Sequence, residues 1–182
     1  MTTLTHTTLQ QWMDQEAQVR RLMLPHGVTP LDDVRPRTGL ELIQGMLQGH
    51  TRPTPFSKLL DFLLVEASSG QVAFQGAPQV DFFNPMGTVH GGWFATLLDS
   101  AMGCAVHTLL PAGRGYTTSG LTVNLVKALT PKVQRVRALG KVLHGGRQMA
   151  SAQASLVGPD GTLYAHATCT CLIFDLPGAP QP

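Results

Sequence analysis

Hydrophobic positions change their spacing twice along this 182-residue chain. Over residues 9–23 the apolar side chains Trp12, Met13, Ala17, Val19, Leu22 and Met23 follow helical spacing, which predicts an amphipathic helix. Pro25, Gly27, Pro30 and Pro36 then break the chain. A second short helix is expected over residues 40–47, with Thr38 placed to cap its start and Gly49 near its end. After the breaker TRPTPFS the pattern becomes strand-like, and a core is expected to begin near Phe56. Residues 59–66 form a short apolar run, Gly70 marks a turn, and residues 71–75 alternate with period two, so the pair reads as a hairpin.

Residues 93–110, WFATLLDSAMGCAVHTLL, are apolar almost throughout and carry one formal charge, Asp99. Pro111-Ala112-Gly113 ends this helix. Four strands are expected after it, over residues 121–126, 133–143, 148–157 and 162–174, with turns at Gly145-Gly146 and Gly158-Pro159-Asp160-Gly161. A helix that is apolar on nearly every side must be buried on most sides. The order of two strands, one long helix and four strands predicts an α+β fold, with a single antiparallel sheet curled around the helix. No β–α–β repeat of ~30 residues appears, which disfavours a doubly wound sheet.

Composition narrows the class. Charged residues make up only 13% of the chain against 43% hydrophobic, a balance that suggests surface hidden in an oligomer. A net charge of +2 argues for no nucleic-acid partner. Lys127, Lys132, Arg135, Arg137, Lys141 and Arg147 do cluster, either as a solvated strand face or as a phosphate-binding patch. Cys104, Cys169 and Cys171 lack paired spacing; the last two share a strand face and read as small buried hydrophobes of a reducing compartment. No secretory signal pattern is visible, and Asp99, Ser100 and His107 argue against a membrane span over 93–110, so a cytoplasmic location is expected.

The candidate chemistry sits at and before that helix, in Asn84-Pro85-Met86-Gly87-Thr88-Val89-His90-Gly91-Gly92. A carboxylate inside an apolar helix is costly to bury unless paired. Gly91-Gly92 would open the helix with bare backbone N–H groups, suited to negative charge. A carboxylate and an oxyanion-binding helix end are the parts needed to hydrolyse an activated acyl group.

With those residues in hand, the chain resembles the hotdog-fold acyl-CoA thioesterases of the phenylacetate-degradation (PaaI-like) type, related to the 4-hydroxybenzoyl-CoA thioesterases. The likeness also takes in Tyr116-Thr117-Thr118, Leu121-Thr122-Val123-Asn124, Gly145-Gly146-Arg147 and His166-Ala167-Thr168. It implies a hotdog fold, a curved antiparallel sheet wrapped around one long helix, spanning residues 53–176. Residues 1–52 are then a helical extension and 177–182 a flexible tail. It further implies a homodimer made by sheet continuation, or a tetramer, with active sites shared between subunits.

By resemblance Asp99 is the acidic catalytic residue and Gly91 supplies the amide that polarises the thioester carbonyl. Asn84 and Thr118 orient water or substrate, and His90 holds the loop or contacts the thioester. Gly92, Met86 and Arg147 are expected to bind substrate, Met86 along the acyl group and Arg147 at the coenzyme A phosphates. Asp99 could act as general base on water or attack directly to form an anhydride. No metal or separate cofactor is expected, coenzyme A being part of the substrate. The acyl group expected is medium-chain or aromatic. The alternative is a non-catalytic acyl-CoA-binding sensor, against which the lack of a basic recognition helix in the first fifty residues counts. A hydratase, which needs an Asp/His pair for proton shuttling, ranks last.

Overall fold

The computed structural model describes residues 2–178, with side chains from residue 6; residues 179–182 of the expected tail lie outside the described residues. Six strands form one antiparallel sheet: β1 (Phe62–Ser68), β2 (Gln71–Gly76), β3 (Arg114–Leu125), β4 (Val136–Gly145), β5 (Met149–Val157) and β6 (Leu163–Asp175). Their order across the sheet is β1-β2-β4-β5-β6-β3. Four helices precede them: α1 (Thr2–Leu22), α2 (Leu31–Val34), α3 (Gly39–Leu47) and α4 (Pro55–Leu59). The long helix α5 (Gly91–His107) follows β2 and packs against all six strands. This is the expected α+β hotdog arrangement.

Small residues let the sheet close on α5. Leu97, Leu98, Ala101, Met102 and Ala105 are fully buried, and Ala138, Ala152, Ala154, Ala165 and Ala167 face them from the strands. At Gly140 of β4 a Cβ would collide with the Ala101 carbonyl, so the closest helix–sheet approach requires glycine there.

Two boundaries differ from the sequence pattern, each for a local reason. Leu59, the first residue of the expected strand run 59–66, instead ends α4. The breaker starts that helix because Thr54 accepts from the Ser57 N–H and Pro55 suits the first helical turn; β1 begins at Phe62. Strand β3 starts at Arg114, seven residues before the alternating stretch. Its first half, RGYTTSG, is polar, and an irregularity between Thr118 and Gly120 shifts the register. The bulge puts Tyr116 and Thr118 on the same inner face as Leu121 and Val123, opposite the buried Ile173, Cys171, Cys169 and Ala167. A simple period-two reading misses that strand.

The extension lies on the outer face of β1, β2 and β4. Val19 packs there with Leu63, Val65 and Ala73, which explains why Phe62 to Val65 are buried at four successive positions. The expected amphipathic helix exists and begins earlier than its pattern, while α3 carries a full capping box between Thr38 and Glu41.

A polar network fastens α1. The buried Arg137 donates to Gln75 Oε1 (2.8 Å), Glu66 Oε1 (2.7 Å) and Gln15 Oε1 (2.7 Å), and lies 4.5 Å over the Trp12 ring. Glu16 accepts from Arg135 (2.6 Å), Gln75 (2.7 Å) and Arg20 (2.9 Å). Arg135 and Arg137 are therefore neither a solvated strand face nor a phosphate patch. They are turned onto α1, where burial demands partners for both guanidinium groups.

Burial alone would raise the Glu16 carboxyl, but the hydrogen bonds from Arg135, Gln75 and Arg20 outweigh it and hold the group below its ordinary value of 4.5. A carboxyl lowered on folding stabilises the folded state above the unfolded value, and that contribution is lost as pH falls through the folded one. Thermal melts between pH 7 and pH 3 are expected to show a steeper acid loss for the wild type than for Glu16→Gln. Glu16→Ala at neutral pH is expected to cost about 3 kcal/mol and to expose α1 to limited proteolysis.

Candidate active site

The loop leading to α5 is built by its own side chains. The Asn84 N–H donates to the Thr88 carbonyl (2.8 Å), and Asn84 Oδ1 accepts from the Met86 and Thr88 amides (2.9 and 3.3 Å). Asn84 Nδ2 donates to Thr88 Oγ1 (2.9 Å), so every polar atom of this side chain serves the turn. Phe82 stacks on Trp93, whose indole N–H donates to the Leu60 carbonyl (3.0 Å). The loop and the helix start are thus fixed to the core.

His90 is the N-cap of α5, and its Nδ1 accepts from the Gly92 N–H (2.9 Å). That bond occupies the Gly92 amide. Gly91 differs: among the described residues its N–H has no partner. It opens into a shallow cleft of about 250 Å³, lined also by Asn84, Thr88, Phe94 and Leu125. A free amide at the start of a 17-residue helix is an anion-binding group by geometry and by dipole.

Asp99 lies in the same helix, partly buried, and accepts a hydrogen bond on Oδ1 from the Thr118 hydroxyl of β3 (2.9 Å). Among the described residues no cation pairs with it, and Oδ2 has no partner. The face of α5 that bears it also carries Ala95, Thr96, Ser100 and Cys104, each less buried than its helix neighbours. This stripe is the part of α5 that its own sheet leaves least covered.

The structure therefore brings together Asp99 with Thr118, and Asn84 with Gly91, but not the two groups with each other. Eight residues of helix separate Gly91 from Asp99, ~12 Å along the axis. Met86 projects into solvent at 87% exposure. Arg147 stands in the β4–β5 turn, where Arg114 holds its carbonyl (2.8 Å); Gly91 meets Leu125, at the opposite end of β3.

Three further residues on or beside this helix face were not assigned to the site from the sequence. Burial pushes the Cys104 thiol up to about 12 and the Tyr116 phenol well above its ordinary value, so both are neutral. Burial lowers His107, whose ring is 5.3 Å from that of Tyr116. The helical spacing of Ser100, Cys104 and His107 on the Asp99 side was the available signal. Among the described residues no group of three or more His, Cys, Asp or Glu could hold a metal ion, and no helix is long and apolar enough to cross a membrane.

Comparison with known proteins adds to this geometry. The sequence model of the thioesterase superfamily matches residues 86–165. A phenylacetic acid degradation-related putative thioesterase of Ralstonia eutropha JMP134 is 25% identical, with 72% of this chain and 98% of that one covered at a TM-score of 0.65. A thioesterase family protein of Silicibacter pomeroyi shares the fold at 20% identity, 76% and 99% coverage and a TM-score of 0.66. The E. coli PaaI protein of the phenylacetic acid degradation operon does so at 17% identity, 68% and 86% coverage and a TM-score of 0.60. No curated protein matches the sequence. The chain has the hotdog fold of these proteins, and over residues 86–165 its sequence is similar to the thioesterase superfamily.

Because Asn84 spends its hydrogen bonds inside the loop, Asn84→Ala is expected to cost about 1–2 kcal/mol of stability. Hydrogen exchange at the Met86 and Thr88 amides should accelerate, while the sheet amides of β4 and β5 keep their protection.

Proposed function

We propose that the protein hydrolyses acyl-CoA thioesters as a homodimer, each active site combining Asp99 and Thr118 of one subunit with the Gly91 amide of the other. One observation carries this reading: within a chain the acid and the free amide are each unpaired for chemistry, yet lie ~12 Å apart along one helix. A second copy supplies the missing half. Strand β3 favours that assembly, because it is an edge strand of twelve residues whose C-terminal half, including Leu121 and Leu125, is largely exposed. Pairing two β3 edges would continue the sheet and set the two α5 helices side by side.

In this arrangement the Gly91 N–H donates to the thioester carbonyl oxygen and stabilises the negative charge that grows on it. Asp99 takes a proton from water as the water oxygen bonds to the carbonyl carbon. The Thr118 hydroxyl holds Oδ1 and leaves Oδ2 free for that water. When the tetrahedral adduct collapses, the carbon–sulfur bond breaks and Asp99 returns the proton to the coenzyme A thiolate. The products are a carboxylate and free coenzyme A. His90 keeps the helix start rigid by holding the Gly92 amide, so the Gly91 donor is the one available to substrate.

Thiol release measured over a panel of acyl-CoAs tests the assignment. Asp99→Asn is expected to lower kcat at least ~10²-fold with the fold retained, in line with loss of a general base. Thr118→Val should cost less, about tenfold, since it frees Asp99 without removing it. Unchanged turnover in Asp99→Asn would reject the acid. Mixing inactive Asp99→Asn chains with chains blocked at the amide, for instance Gly91→Pro, should restore activity through hybrid dimers if the site is shared.

A further inference from the structure

The chain encloses an apolar cavity of about 280 Å³ between its N-terminal helices and the core. Met23 at the end of α1, Met46 of α3 and Phe56 of α4 form one wall, and Phe62, Leu64 and Phe74 of the sheet form another. Its floor is Ser100, Cys104 and Tyr116.

That floor adjoins the acid. Ser100 follows Asp99 in α5, and among the described residues its hydroxyl has no partner. Tyr116 stands two residues from Thr118 on the same inner face of β3, a separation of ~7 Å in an extended strand. Gly103 makes room for that ring, since a Cβ there would press on the Tyr116 hydroxyl at 2.7 Å. We infer that this cavity takes the acyl tail of the substrate, a straight apolar chain of roughly eight to twelve carbons, and that Met23, Met46 and Phe56 set its length; the inference rests on Asp99 as the reacting centre.

Size and chemistry select this occupant. The cavity has nearly twice the ~150 Å³ of an engineered apolar cavity that holds benzene, which scales to roughly eleven carbons. The thiol and phenol at its inner end are uncharged, so nothing there rewards a charged or dicarboxylic tail. Two methionines give an adaptable wall that follows a flexible chain. Phe56, half exposed, stands at the outer rim and limits how far a chain can run.

Chain-length profiles of kcat/KM with saturated acyl-CoAs from two to sixteen carbons test this in the full-length protein. Wild type is expected to rise up to about fourfold per added methylene and to peak between eight and twelve carbons. Met46→Trp should fill the cavity and cut kcat/KM at ten carbons at least tenfold, leaving four carbons within twofold. Met23→Trp should do the same from the α1 side, and the retained short-chain rate shows that either variant folds. Titration with the non-hydrolysable thioether decyl-CoA supplies a second readout, weakened by Met46→Trp. A flat wild-type profile, or an equal loss at every length in both tryptophan variants, would overturn the acyl-pocket assignment. Failure of the Asp99 reading would look different: Asp99→Asn would turn over normally with the length preference intact.

Discussion

Everything in this molecule answers to the need to bury a helix that is apolar on nearly all sides. The 17 residues of α5 cannot rest on a flat surface without leaving leucines and methionine in water. The sheet therefore curls, and the alanines of β4, β5 and β6 let it come close enough to wrap. Burial of that helix also makes its polar residues informative, because each one spends free energy that packing must offset.

Those polar residues are confined to the side of α5 that the chain's own strands cover least. Asp99 takes one hydrogen bond there and keeps a free oxygen, and a neutral phenol and thiol lie on the same side. The helix start presents a single open amide because a histidine has claimed the next one. Rigidity at one end and an unsatisfied acid two turns along suit a site completed by a second protein surface.

The sheet-and-helix plan was legible because its signals are local. Alternation, turn glycines and an uninterrupted apolar run each report on neighbours a few positions apart. Asp99 stood out for the same reason, as one charge in eighteen residues. Two parts were not legible. The polar start of β3 hides behind a bulge that breaks alternation at Ser119. The basic cluster looked uniform, although Arg135 and Arg137 differ from Lys132 through partners 62 to 122 residues away. Four successive apolar residues from Phe62 to Val65 were the one hint that something must cover the outer face of β1.

Those distant partners have a consequence for how the chain is made. Gln15 meets Arg137 across 122 positions, and Glu16 meets Arg135 across 119. At a translation rate of ~5–20 residues per second, α1 leaves the ribosome at least several seconds before its anchors exist. A helix in a folded protein draws most of its stability from tertiary packing. The outer face of β1 and β2 can therefore receive α1 first, and the guanidinium contacts that fasten it form only once Arg135 and Arg137 are in place.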